Sequence, residues 1–372
     1  MIPGHGAGGP LRVLMMTGSF PPMKCGVGDY TASLVQALAA LDEIDVGVLT
    51  DEEAGTCGER AEVLRATRGW RWRDRSRLLA AVSAWRPDIV HVQYPTQGYA
   101  RRWLPFILPP LLAWRGHAIV LTWHEYVTVP IPRYLPNAFL RGGLIAVRPR
   151  YLENLPWYLR RVIKRKEFRF IPNASSIPAV ILSDDERRAI REDFATGDRR
   201  LVLSFGFAYP AKGMERLFDL LDPEREQLIV ATDLRDDDPY HRLLLEQLRS
   251  SRWRDRSRVI GFQAAGDLAR IIAASDAVVL PFRDGGGGWN TSLHAVASQG
   301  TFAVTTSEDR RGYDAQTNTY YAPRDGLTEM RAAIDEYAGR RLPPRIGADP
   351  WQEIAAAHVE LYRAVLARSS RD

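Results

Sequence analysis

Cysteine is scarce in this chain. Cys25 and Cys57 are the only two in 372 residues, too few for a disulfide framework, and no CxxC pair marks a metal site. Long apolar runs are missing as well. The longest, Trp103 to Trp114 (WLPFILPPLLAW), is too short to cross a bilayer and carries Pro109-Pro110. The opening MIPGHGAGGPLR holds no apolar core of signal-peptide length. There is no repeat of solenoid length, and GGGG at 285–288 is the one low-complexity stretch. These absences argue against a disulfide scaffold and a membrane-spanning chain. They set the expectation of a reducing, cytoplasmic setting.

What is present reads as an ordinary globular protein, with 45% hydrophobic and 26% charged residues. The length exceeds a comfortable single core, so two domains are expected. The net charge of +5 is uneven. Residues 1–175 carry 23 Lys and Arg against 14 Asp and Glu, and the remainder carries 27 against 31. A basic front half points to an anionic partner, either a phosphate-bearing acceptor or a membrane surface. Solvated arginine-rich faces explain it equally well. The segment PWYLRRVIKRKEFRF, Pro156 to Phe170, mixes aromatic, aliphatic and cationic residues and is the stretch best suited to rest on anionic lipid. The bland alternative is that Leu159, Val162 and Ile163 face the first domain's sheet and leave the cations in water.

Two series of strand–helix alternation follow from the hydrophobic pattern. LRVLMMT (Leu11–Thr17) leads to a helix over Thr31–Leu41, and VGVLT, DIVHVQY and AIVLTWH follow as β-branched runs of the buried parallel type. The second series is RLVLSFGF, QLIVATDL, RVIGF, DAVVLPF and FAVTT. Helix-like segments between them argue for two parallel sheets with right-handed crossovers, and for ligands at the strands' carboxyl ends. The turn-rich, charged stretch from Ile171 to Arg200 is the expected linker. This places an N-terminal domain at 1–175 with about 352–372, and a C-terminal domain at 176–351. DPWQEIAAAHVELYRAVLARS reads as a closing helix.

Four stretches carry candidate chemistry. In GSFPPMKCGVGDY, Gly26, Val27 and Gly28 would let backbone N–H groups approach a ligand at a helix start, though a plain turn reads as well. His124 follows an apolar strand, where it would point at a polar ligand or serve as a satisfied core histidine; Glu125 beside it ranks lower. In SFGFAYPAKGMERLFDLL, a strand ends at Gly206, and Lys212-Gly213 opens an amphipathic helix (Leu217, Leu220, Leu221). Lys212 would neutralise a diphosphate or lie on the surface. In VVLPFRDGGGGWNTSLHAVASQGTFAVTT, a strand enters a glycine-rich loop (Gly286, Gly287, Gly288) and then a helix from about Asn290. There Asn290, Thr291 and Ser292 offer cap side chains and free N–H groups, a ready phosphate site.

In this order the four stretches resemble the family-4 type of retaining glycosyltransferases (glycosyl transferases group 1), over nearly the whole chain. Pro21-Pro22 with Gly26-Val27-Gly28 match the family's first loop, and Pro87–His91 its PDIVH strand. His124 matches a strand-ending histidine, Ile171–Ala174 the IPNG-like linker, and Gly206 with Lys212-Gly213 the phosphate loop. Gly261 and Asp276–Pro281 match two further strands, and Trp351 with Tyr362-Arg363 the helix that returns to the first domain. The resemblance implies the GT-B fold, an α/β architecture of two Rossmann-like domains with parallel sheets facing a central cleft. Two departures stand out. Phe207 sits where the family has an arginine. Of two family glutamates, Asp284 or no acid at all stands nearest the first, which orients the donor sugar, and His294 replaces the second, which binds the ribose.

What the resemblance implies is transfer of a glycosyl group from a nucleotide diphosphate sugar to a hydroxyl or amine. Retention would occur without a covalent protein intermediate, and no metal and no cofactor beyond the donor would be needed; the absence of a DxD-like acidic set agrees. Lys212 and the N–H groups near Asn290 would stabilise the departing diphosphate, and His124 would hydrogen-bond the sugar. Gly26, Val27 and Gly28 would line the acceptor and phosphate side. Gly206, Gly261, Phe262, Asp284, Gly286, Gly287, Gly288, Asn290, Thr291, Ser292 and His294 would hold the nucleotide and sugar. No nucleic-acid partner is expected; peripheral contact with the inner membrane face is one reading, and a small soluble acceptor that needs no membrane is the other. The altered arginine and glutamates keep open a catalytically impaired protein that binds a nucleotide sugar or supports a partner enzyme. Another GT-B enzyme, an epimerase or a phosphorylase, also remains open.

Overall fold

The computed structural model of the chain describes residues 9–126, 131–194, 197–347 and 349–369. It divides into two compact units, Met1–Asn173 with Asp349–Asp372, and Ala174–Ala348.

The first unit contains β1 (Leu11–Met16), α1 (Gly26–Ala39), β2 (Ile44–Asp51), β3 (Ala61–Thr67), α2 (Arg75–Trp85), β4 (Ile89–Tyr94), α3 (Leu104–Trp114), β5 (Ala118–Trp123), α4 (Ile131–Ala138), β6 (Gly143–Ala146), α5 (Trp157–Ile163) and β7 (Glu167–Phe170). Its strands pair in the order β3-β2-β1-β4-β5-β6-β7, every neighbour parallel. All of β4 is buried, and so are the last four residues of β1. A strand covered on both faces needs a near-continuous apolar run, which is the signal these segments carried. The core gathers Leu14, Met16, Val90, Val92, Leu121 and Trp123 under Leu78, Val82 and Leu108. The apolar stretch at 103–114 is α3, with Leu108, Pro109 and Leu112 buried.

The second unit runs through α6 (Asp184–Phe194), β8 (Arg200–Phe205), α7 (Leu217–Leu220), β9 (Glu226–Ala231), α8 (Pro239–Arg249), β10 (Ser257–Val259), α9 (Ala265–Ala274), β11 (Ala277–Leu280), α10 (Thr291–Gln299), β12 (Ala303–Thr306), β13 (Gly312–Asp314), β14 (Thr319–Ala322) and α11 (Leu327–Tyr337). Its sheet order is β10-β9-β8-β11-β12-β14-β13, parallel apart from the β13–β14 hairpin. The chain closes with α12 (Pro350–Ser369), which packs in the first unit on α1 and against β5, β6 and β7. Both units are Rossmann-like, with helices connecting parallel strands.

Two expectations from the pattern, for α1 and for the helix after Lys212, are corrected, and the linker stretch holds a helix. Helix α1 begins at Gly26, five residues before Thr31, because Cys25 is extended and Asp29 N–H already bonds to its carbonyl at 2.9 Å. The stretch from Ile171 to Arg200 holds α6, an eleven-residue helix with no buried residue. A capping box starts it: Glu186 N–H donates to Ser183 Oγ at 3.2 Å, and Ser183 N–H to Glu186 Oε2 at 2.9 Å. The amphipathic helix after Lys212 is reduced to two 3₁₀ turns, Pro210–Lys212 and Met214–Arg216, and the four-residue α7.

Candidate active site

In the first unit the candidate residues gather at the carboxyl ends of β1, β4 and β5. Gly26, Val27 and Gly28 form the first turn of α1. A Cβ on Gly28 would lie 3.0 Å from the Ser19 carbonyl oxygen. Glycine there lets the β1–α1 loop press its own backbone onto the helix. Ser19 ties that loop to the next one, its Oγ accepting Gly98 N–H at 2.8 Å.

His124 follows β5 directly, and its N–H donates to the Tyr94 carbonyl at 2.7 Å. The residue is only 7% exposed. Tyr30 packs edge-on against it at 4.7 Å, and Nε2 lies 2.9 Å from Gln93 Oε1. Burial, then the positive potential of His358 and Arg148, depresses its pKa to about 3. His124 is therefore a neutral imidazole at physiological pH. Glu125 pairs with Arg148, so it is committed to an ion pair rather than offered as an acid.

Behind His124 lies a buried polar network that the sequence reading did not isolate. Gln93, His91 and Thr122 are fully buried on β4 and β5, and His358 and Tyr362 of α12 join them. His91 Nδ1 is 2.7 Å from Tyr362 Oη, and Nε2 is 2.7 Å from Thr122 Oγ1. Tyr30 Oη lies 3.4 Å from His358 Nε2. A signal was available in IVHVQY. Two polar residues spaced by two in an otherwise apolar buried strand share one side of the sheet and require partners. Asp29 was also passed over; desolvation raises its carboxyl to about 6.

In the second unit the candidates sit on the loops after β8, β10 and β11. Lys212 ends the first 3₁₀ turn, and its Nζ lies 4.6 Å from the Phe282 ring centre and 5.5 Å from that of Tyr209. It is one of only four lysines in the chain. Arg283 N–H donates to the Ala211 carbonyl at 3.0 Å, and Arg283 pairs with Glu215 at 2.6 Å. The lysine turn and the glycine-rich loop are thus pinned together. Phe282 is common to both, since a Cβ on Gly286 would meet its ring at 2.7 Å.

The loop folds on itself before α10. Gly286 N–H donates to the Thr306 carbonyl at 2.6 Å. A Cβ on Gly287 would collide with the Trp289 ring at 2.4 Å. Two of the glycines therefore make room for the protein's own side chains, while Gly288 borders open space. Asn290 turns its Oδ1 back to accept Gly287 N–H at 2.9 Å and does not cap α10. The amides of Thr291 and Ser292 lie in that uncapped first turn. His294 Nε2 donates to the Gly288 carbonyl at 2.8 Å, clamping loop to helix, and burial lowers its pKa.

Gly206 and Phe207 leave β8, and Gly261 and Phe262 leave β10. The two phenylalanine rings approach to 5.1 Å. Phe262 N–H donates to Asp233 Oδ1 at 3.1 Å. Asp284 is exposed, and its carbonyl accepts a long 3.4 Å bond from Arg324. The structure thus groups Lys212 with the glycine-rich loop, and Phe262 with Phe207. His124 belongs with Gly26, Val27 and Gly28 through Tyr30, the residue that follows Asp29.

Two Rossmann-like units in one chain are the architecture of the GT-B class. The Glycosyltransferase Family 4 profile matches residues 25–203. Solved structures agree over the whole length. Sucrose-phosphate synthase from Thermosynechococcus elongatus is 18% identical, with 96% of this chain and 95% of that one aligned and a TM-score of 0.68. HepE of Anabaena in complex with UDP-glucose is 14% identical over 97% and 100%, with a TM-score of 0.68. The catalytic domain of starch synthase IV from Arabidopsis thaliana, bound to ADP and acarbose, is 15% identical over 96% and 100%, with a TM-score of 0.63. No functionally curated protein matches the sequence. The fold is the GT-B fold, and residues 25–203, just under half of the chain, match the Glycosyltransferase Family 4 profile.

Proposed function

We propose that the protein transfers a glycosyl group from a nucleoside diphosphate sugar to an acceptor hydroxyl or amine, with retention of configuration and no required metal. One observation carries this reading. Lys212 and the uncapped start of α10 are fixed to a single glycine-rich loop by the Arg283–Ala211 hydrogen bond and by Phe282. A cation and free amides held in place before the reaction suit a departing diphosphate, because they need no reorganisation as its charge develops. His124, neutral and aimed from a strand end, would hydrogen-bond the sugar. Gly206, Gly261, Phe262, Asp284 and His294 would complete the nucleotide and sugar contacts. The UDP-glucose of HepE and the ADP of starch synthase IV support a nucleotide-bearing donor.

A thermal-shift series with UDP, GDP, dTDP and ADP and their hexose esters tests the reading. One nucleotide set should raise the melting temperature by several degrees at saturating ligand. A flat response to all of them would count against it. The competing reading, binding without turnover, draws on Phe207, which pairs with Phe262 where the family has an arginine. Stabilisation by a nucleotide sugar with neither transfer nor hydrolysis would favour it.

For the acceptor side, α5 buries Leu159 and Ile163 while Trp157 is 74% exposed and Tyr158 and Phe170 also face outward. Arg161, Lys164, Arg165 and Arg169 stand exposed among them. Among the described residues no helix is long and apolar enough to cross a membrane. Peripheral contact with anionic lipid is the reading this surface supports, and it would present a lipid-borne acceptor. The protein should sediment with phosphatidylserine-containing liposomes at low salt and leave them at high salt. Remaining in the supernatant at low salt would direct the search to soluble acceptors.

A further inference from the structure

His91 and Gln93 alternate along β4, and Thr122 and His124 occupy the end of β5 beside them, so the four share one side of the sheet. Tyr30 from α1 and His358 and Tyr362 from α12 cover them, and all seven side chains are buried. No proton in such a place can be left without a partner at low cost, so the hydrogen-bond polarity can be worked out atom by atom.

Begin with His358. Its Nδ1 lies 2.7 Å from the Ile354 carbonyl, which only accepts, so Nδ1 carries the proton and Nε2 is left to accept from Tyr30 Oη. Gln93 decides the rest. Its Nε2 lies 3.8 Å from Met15 Sδ and 3.2 Å from His91 Nε2. Turning the amide over would set its carbonyl oxygen against the lone pairs of that sulfur, two acceptors face to face. With the amide as it stands, Gln93 donates to His91 Nε2, the Thr122 hydroxyl donates to the same nitrogen at 2.7 Å, and His91 donates from Nδ1 to Tyr362 Oη at 2.7 Å. At the other end, Gln93 Oε1 accepts from His124, so His124 carries its proton on Nε2. Its Nδ1 has no hydrogen-bond partner among the described residues and keeps its lone pair.

We propose that Gln93 is a positioning residue that locks His124 in the Nε2–H tautomer, so that His124 meets its ligand only as an acceptor and selects a sugar hydroxyl over a carboxylate. The hydroxyl half rests on the glycosyl-transfer reading above; the tautomer half does not. The depressed pKa of His124 supports it, because a ring that stays neutral cannot turn into a donor for a uronic acid. The family pattern marks the histidine alone. The chain Tyr362–His91–Gln93–His124 makes its orientation a property of the C-terminal helix as well.

The full-length protein labelled with ¹⁵N-histidine gives the direct readout, with His124→Gln used to assign the signal. Wild type should show His124 protonated at Nε2 and bare at Nδ1 from pH 8 to pH 5. A proton on Nδ1, or a mixture, would overturn the proposal. Gln93→Leu should release the ring into both tautomers, and an unchanged spectrum would also overturn it. If that variant does not fold, Gln93→Glu serves instead. It keeps an acceptor for Nε2–H, so it should retain the tautomer, and the added carboxylate should raise the His124 pKa; unchanged titration would be evidence against contact. Adding UDP-glucose should shift the Nδ1 resonance, and UDP-glucuronate should shift it about tenfold less at equal concentration. Equal shifts would overturn the hydroxyl selection. An intact tautomer with no response to either sugar would uphold Gln93 as the positioning residue and count against glycosyl transfer.

Discussion

Between pH 7 and pH 5.5 a histidine in an unfolded chain passes from mostly neutral to mostly charged, its ordinary pKa being about 6.5. His91, His124 and His358 do not follow it in the folded protein. Burial holds His91 well below its ordinary value, His124 at about 3 and His358 at about 4. Around them stand Tyr30, Tyr362, Thr122, Gln93 and the positive Arg148, and among the described residues no carboxylate hydrogen-bonds to any of the three. A folded pKa below the unfolded one means that unfolding takes up a proton, so stability is present above pH 6.5 and lost as pH falls. Over this window each ring gives up roughly 1.2 kcal/mol, and the three together about 4 kcal/mol. That is a large part of the 5–15 kcal/mol typical of a domain. Asp29, raised to about 6, acts in the opposite sense and offsets part of the loss, reduced by its exposure to solvent. Hydrogen exchange of peptides from β4, β5 and α12, followed across urea at the two pH values, would measure the effect where it arises. His358→Gln should remove close to one proton from the pH slope. Stability that is flat or rising on acidification through this window would mean that the three rings do not stay neutral in the folded protein.

The remaining predictions concern separate parts of the chain. Gly286→Ala places a methyl 2.7 Å from the Phe282 ring and 2.9 Å from Thr305 Oγ1; it should lower unfolding stability by about 1–3 kcal/mol in urea titration and weaken nucleotide binding. Glu226 is fully buried and accepts two 2.9 Å bonds from Arg331. Glu226→Gln should destabilise the second domain by about 3–5 kcal/mol in the same titration without altering nucleotide affinity of the folded fraction.

The sheets were legible because parallel strands buried on both faces need apolar runs, and Leu11–Thr17, Asp88–Tyr94 and Asp276–Phe282 supply them. Strand β7 was not, since EFRF has no buried residue and its charged–aromatic alternation lasts only four residues inside a basic stretch. Strands β13 and β14 were also missed; GYD and TYYA are too short to carry a period. At the site, Lys212 and the glycine-rich loop could be picked out by residue type at strand ends. What the glycines are for could not. Gly28 and Gly287 yield space to Ser19 and Trp289, contacts that exist only once the loops are folded. His294 likewise bonds the Gly288 carbonyl, a partner six residues away that the helix geometry alone brings near. The buried network around His124 joins β4, β5, α1 and α12, positions up to 328 residues apart. No local pattern reports such a meeting.

In the proposed reaction Lys212 stabilises a departing diphosphate. Turnover of the stabilising nucleotide sugar, by release of free nucleotide from purified wild type and Lys212→Ala, tests it most directly. The thermal shift of each protein with nucleotide serves as the control for folding and binding. Loss of one preorganised charge should lower kcat by about a hundredfold or more. A variant that folds, binds and turns over at the wild-type rate would contradict the claim.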